Sequence, residues 1–162
     1  MPSTRYGRLA LALAVSALTL AACAKKAEEP GTTTTTSAAA TSAESAAPAA
    51  ANVDTLDGTK LASFTGDATN GEAAFGQCKA CHDLVQNRIG PPLHGVVGRK
   101  AGAVPGFIYS DADKSSGIIW TPEKLFQFLE QPRRVMPGTR MTFAGVSNAQ
   151  KRADIVAYLK AN

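Results

Sequence analysis

At 162 residues the chain has room for one ordinary domain, and a formal charge of +4 is too mild to point to nucleic acid. Six Phe, three Tyr and one Trp are few large side chains for a core. A domain of about a hundred residues this thin in bulk would be completed by a large apolar cofactor at its centre.

The N-terminus carries Arg5 and Arg8, an apolar run from Leu9 to Leu20, then Ala21, Ala22 and Cys23. A basic start, a short apolar middle and small residues at the cut form an export signal, residues 1–22. The apolar run is shorter than the ~20 residues that cross a bilayer. Leu20, Ala21, Ala22 and Cys23 resemble the bacterial lipoprotein box, in which the cysteine takes a lipid and becomes the first mature residue. Cysteine arithmetic agrees: a motif further on claims two of the three, and acylation would cap a third thiol that is a hazard in an oxidising compartment. The expected location is the periplasmic side of a bacterial cell envelope, lipid-anchored to membrane at Cys23. Residues 23–62 are Ala, Thr, Ser, Pro and Gly with a few charges, including the run Thr32 to Thr36. No structural period runs through them, so they are expected to be a disordered linker with a span of ~34 Å. The domain is expected at 63–162.

A helix is expected from Asp67 to Gln77, capped by Asp67 or Thr69, with Gly71 and Phe75 on one face where a second helix can cross closely. Cys78, Lys79, Ala80, Cys81 and His82 follow, in the pattern CxxCH. Two thiols so spaced on a helical turn reach the two vinyl groups of one porphyrin, and the adjacent histidine lies beneath the iron. A bare CxxC would also suit a redox dithiol or half a zinc site. No second cysteine pair exists here, and the histidine follows at once. The reading is one haem c, covalently attached through Cys78 and Cys81, with His82 on the iron. A thioether is the second ligand that raises the potential of such a centre. Met136 and Met141 remain once the signal is removed, each with core filling as its commonest job. His94, in a tight Pro and Gly loop, competes with them.

Thr121, Pro122 and Glu123 start a helix that Pro132 must end, with Leu125, Phe128 and Leu129 on one face over the haem. Ser147 to Gln150 reads as a capping box, after which Ile155, Val156 and Leu159 repeat at helical spacing. No stretch alternates as a strand does. The fold class is all-α, with Ω-like loops between helices.

From Gly66 to Asn162 the sequence resembles the mitochondrial type of class I cytochrome c and its bacterial relatives. CKACH carries the resemblance, with GPPLHGVVGRKAG from Gly90, GFIYSDADKSSGIIW from Gly106, PGTRMTFAG from Pro137 and ADIVAYLK from Ala153. It implies the class I cytochrome c fold, helices and Ω-loops wrapped around one haem, with the N- and C-terminal helices crossing at Gly71, Phe75, Ile155 and Tyr158. It also implies Met141 as the axial methionine. Arg99, Tyr109 and Trp120 would meet the haem propionates, joined by Thr139 as a donor. Pro91 would orient the His82 ring, and Phe143 would cover the haem face. Phe128 stands where the mitochondrial proteins usually have a tyrosine bonded to the methionine sulfur, and the missing donor favours ferric iron. The implied function is a one-electron carrier rather than an enzyme, a monomer working between a quinol:cytochrome c oxidoreductase and a terminal oxidase. Arg133, Arg134 and Arg140, with Lys79 and Lys100, would meet acidic patches on those partners. The alternative is a haem enzyme or sensor, a peroxidase or gas binder, in which Met141 is displaced.

Overall fold

The structure is a computed structural model, and it describes residues 50–162. The signal (1–22), Cys23 and the linker up to residue 49 lie outside the described residues. A 3-10 turn, Leu61–Ser63, leads into α1 (Ala68–Phe75), α2 (Asp111–Ser115), α3 (Pro122–Glu130), α4 (Pro132–Val135) and α5 (Ala149–Ala161). Among the described residues there is no strand. One antiparallel bridge, Lys100 to Ile119, is isolated. No described helix is long and apolar enough to cross a membrane.

α1, α2, α3 and α5 each begin where a side chain takes an orphan backbone N–H, whereas α4 has no side-chain cap. Asp67 accepts from Asn70 N–H at 2.8 Å and so settles the cap of α1. Ser110 and Asp113 form a capping box on α2. Thr121 caps α3, with Pro122 in the first turn as expected. The box expected at Ser147 to Gln150 is not formed: Asn148 caps α5 by accepting from Lys151 N–H at 2.8 Å. Gln150 is instead spent on Thr65 O and the Asp154 carboxylate, both at 2.8 Å. Pro132 ends α3 and, lacking a donor, also opens the single turn of α4.

α1 crosses α5 at Gly71. A Cβ there would run into the backbone carbonyl of Asp154 and lie 2.8 Å from the Tyr158 Cβ. One turn on, the rings of Phe75 and Tyr158 pack with centroids 5.1 Å apart. Ile155, Val156 and Leu159 carry α5 into a core shared with Leu125, Phe126 and Leu129 of α3. Each such side chain is worth about 1.5–3 kcal/mol for the apolar area it hides.

Residues 50–62 depart from the expectation of a disordered linker. Residues 50–59 form a strap along the outer face of α3, where Gln127 donates to the Asn52 side chain (2.9 Å) and to Asp54 O (2.7 Å). The Glu130 carboxylate accepts from the backbone N–H groups of Leu56 (2.7 Å) and Asp57 (3.1 Å), and Arg134 donates to Asp54 O. Asp57 faces Arg152 at 2.6 Å, and the Arg152 side chain is fully buried. A buried cation needs a partner, and the strap delivers it.

Candidate functional site: an apolar cavity behind the CxxCH turn

The chain continues past α1 in a run of turns, Cys78 N–H to Phe75 O (2.8 Å) and His82 N–H to Cys78 O (2.8 Å). This winding brings Cys78, Cys81 and His82 to one wall of a cavity of about 410 Å³. The returning loop pairs with the turn, Leu93 N–H to Asp83 O and His94 N–H to Leu84 O, and so carries the Pro91 carbonyl to within 2.8 Å of His82 Nδ1. A carbonyl only accepts, so the ring proton sits on Nδ1 and the Nε2 lone pair is left for a metal. Burial lowers the His82 pKa and the Pro91 bond partly offsets this, which keeps the ring in the neutral, ligating form. Gly90 leaves room for that ring, since a Cβ there would collide with it.

Cys78 and Cys81 form no disulfide. Burial, with the neighbouring Cys81 charge second, pushes the Cys78 thiol up to about 11. A redox dithiol works through a depressed thiol, and burial here acts in the other direction.

Met141, Thr142 and Phe143 also line the cavity, and α3 supplies Leu125, Phe128 and Leu129. The competing ligands fall elsewhere. Met136 is buried in a second cluster with Ala101, Ile118, Phe128 and Val135, and does not line the cavity. His94 is exposed and does not line it either. The Lys100–Ile119 bridge aligns its flanks, with Trp120 N–H donating to Arg99 O at 2.9 Å, so that both side chains reach the cavity. Trp120 packs edge-on against Phe128, centroids 4.8 Å apart. The Arg99 guanidinium donates to Pro92 O (2.7 Å) and His94 O (3.1 Å), and burial draws its pKa down. Burial likewise pushes the Tyr109 phenol up, leaving it a neutral donor at the cavity wall.

Thr139 lines the cavity as expected of it, and its hydroxyl donates to the Asp113 carboxylate at 3.1 Å. One expectation changes. Arg134 was expected among exposed docking cations, but its side chain is 16 % exposed and turned to Glu130 and the strap. Arg133, Arg140, Lys79 and Lys100 are exposed. The sequence reading missed Asp113 and Gly90. An i, i+3 serine–aspartate pair after a loop was the one available signal for Asp113.

The residues fit a flat, apolar prosthetic group with charged edges. The volume is that of a cofactor site, its wall is mostly aliphatic and aromatic, two thiols stand where covalent attachment would occur, and Arg99, Lys100, Tyr109 and Trp120 supply the polar contacts that carboxylates demand.

The family model for cytochrome c matches residues 68–162. The chain is 48 % identical over 98 residues to cytochrome c type-1 of Ascaris suum, an alignment covering 59 % of this chain and 88 % of that one. It is 46 % identical over 97 residues to cytochrome c2 of Blastochloris viridis, covering 58 % and 76 %. Cytochrome cH from Methylobacterium extorquens superposes with a TM-score of 0.59 at 50 % identity, covering 60 % of this chain and all of that one. The chain therefore belongs to the cytochrome c family, with one haem c bound covalently through Cys78 and Cys81, and it carries electrons rather than acting as an enzyme.

Proposed function

We propose that this chain is a one-electron carrier with His82 and Met141 as axial ligands, tethered to a membrane through Cys23. Haem supplies an iron that passes between ferric and ferrous states without bonds being made to a substrate. The observation that carries the reading is that of the three competing second ligands only Met141 lines the cavity that His82 also lines. His82 is oriented by Pro91. α3 with Phe75, Ile155 and Leu159 gives the cavity apolar walls, and a low-dielectric surround of this kind strengthens the electrostatics of the site.

Charge compensation falls to Arg99, Lys100, Tyr109 and Trp120. A buried carboxylate without a donor is costly, and these four reach the same cavity. Partners with acidic patches, a quinol oxidoreductase and a terminal oxidase, suit the exposed cations Lys79, Lys100, Arg133 and Arg140. The basic start, short apolar run and Leu20-Ala21-Ala22-Cys23 box support export and lipid anchoring.

Carbon monoxide separates this reading from a haem enzyme or gas sensor with a displaceable Met141. The ferrous protein at neutral pH is expected to leave its spectrum unchanged under the gas. Rapid formation of an adduct would put the sensor reading first. Mass spectrometry of the mature protein is expected to find an acylated N-terminal Cys23, and an unmodified N-terminus elsewhere would end the anchoring proposal.

A further inference from the structure

Asp113 is the one acidic side chain among the residues lining the cavity. It sits in α2, and its carboxylate accepts three hydrogen bonds: from Ser110 N–H (3.1 Å) and Ser110 Oγ (2.6 Å) on one oxygen, and from Thr139 Oγ (3.1 Å) on the other. Thr139 Oγ in turn accepts from Met141 N–H at 3.3 Å. A second contact joins the same two segments, because a Cβ on Gly138 would meet the Ala112 side chain at 3.2 Å. Among the described residues no lysine or arginine forms an ion pair with Asp113, whereas Lys114 beside it pairs outward with Asp111. The half-buried carboxylate thus holds its place through neutral donors.

We propose that Asp113 sets the reduction potential of this protein, its unneutralised negative charge on the cavity wall favouring the ferric state, while its bond to Thr139 fastens the loop that carries Met141. Iron loses one positive charge on reduction. A fixed anion in a low-dielectric wall stabilises the more positive state, and the hydrogen bonds that hold it, coming from neutral groups, leave its charge in place. The charge and the tie are separable. Asp113→Asn keeps the shape and one acceptor oxygen but removes the charge. Thr139→Val removes the hydroxyl that bridges to the loop and keeps the charge.

The inference rests on haem occupying this cavity and does not need Met141 to be the ligand. The test is a spectroelectrochemical titration of the whole holoprotein and both variants, with the methionine-to-iron charge-transfer band recorded alongside. Asp113→Asn is expected to shift the ferric–ferrous equilibrium three- to tenfold toward ferrous, ~30 to 60 mV upward at 59 mV per decade for one electron, with the band retained. Thr139→Val is expected to stay within twofold of the parent at neutral pH but to lose the band at lower alkaline pH, because its loop is less firmly held. An unchanged or lowered potential in Asp113→Asn, a shift no larger than that of Thr139→Val, or a shift accompanied by loss of the band would each overturn the proposal. Absence of the band in the parent would count against Met141 alone and leave the potential comparison intact.

Discussion

The two faces of α3 do different work with the same nine residues. Leu125, Phe128 and Leu129 turn inward and line the cavity, whereas Lys124, Gln127 and Glu130 turn to the strap formed by residues 50–59. The inner face is apolar and belongs to the region that the cytochrome c family model matches, residues 68–162. The outer face is polar, fully hidden at Lys124 and Gln127, and its partners precede that region. One helix therefore joins a cofactor wall within the family-matched region to a fastening that precedes that region. Changes on the outer face should move stability and leave the potential alone, and changes on the inner face should do the reverse.

The largest effect is expected from Asp57→Ala, which takes the nearest anion from the fully buried Arg152 and leaves Glu130 at 3.8 Å as the remaining one. Loss of a charge-assisted bond of this kind costs about 2–3 kcal/mol, to be read from urea unfolding of the holoprotein with the potential measured on the same sample. A moved potential would break the division between the faces.

Acid sharpens the same point. Burial raises the Asp57 pKa, but hydrogen bonds from Thr59 and Arg152 outweigh it and hold the carboxyl below the usual carboxylate range. A depressed folded pKa gives stability that is present above the unfolded value of about 3.9 and is lost as pH falls through the folded one. The stability gap between parent and Asp57→Asn should be full at neutral pH and close well below pH ~4. A gap that stays constant across that range would contradict the Asp57 account. Gln127→Ala comes next in size. It removes bonds to Asn52 and Asp54 and should cost about 1–2 kcal/mol, with hydrogen exchange accelerating at the Leu56 and Asp57 amides before it does at the core.

Phe128→Tyr, on the inner face, is expected to raise the potential by restoring a donor near Met141 while changing stability by less than about 1 kcal/mol. A lower potential would reject that reading. Smallest at equilibrium is Arg140→Gln on the exposed rim, whose effect belongs to association kinetics: a lower rate constant with an acidic redox partner and a shallower dependence on salt. A salt slope identical to the parent's would exclude Arg140 from docking.

Much of the inner face was legible before any coordinates. CxxCH has a spacing dictated by its chemistry, the 3.6-residue period marked Leu125, Phe128 and Leu129, and Thr121-Pro122 marked the start of α3. The strap was not legible, because Asn52, Asp54 and Asp57 show no apolar period and their meaning lies in partners 73 to 95 residues away. Asp113 was hidden for the same reason, its bond to Thr139 joining positions 26 apart. Lys124 and Arg152 are charged residues on helices, and both are fully buried. Local pattern finds apolar faces and caps. It does not find which polar side chains a distant segment will cover.

The account turns on the proposal that Met141 completes the iron's coordination as the second ligand beside His82. The ferric absorption spectrum of the purified protein beside that of Met141→Ala tests it most directly. The methionine-to-iron band should be present in the parent and absent from the variant, with haem still covalently attached in both. A band that survives the substitution, or one missing from the parent, would contradict it.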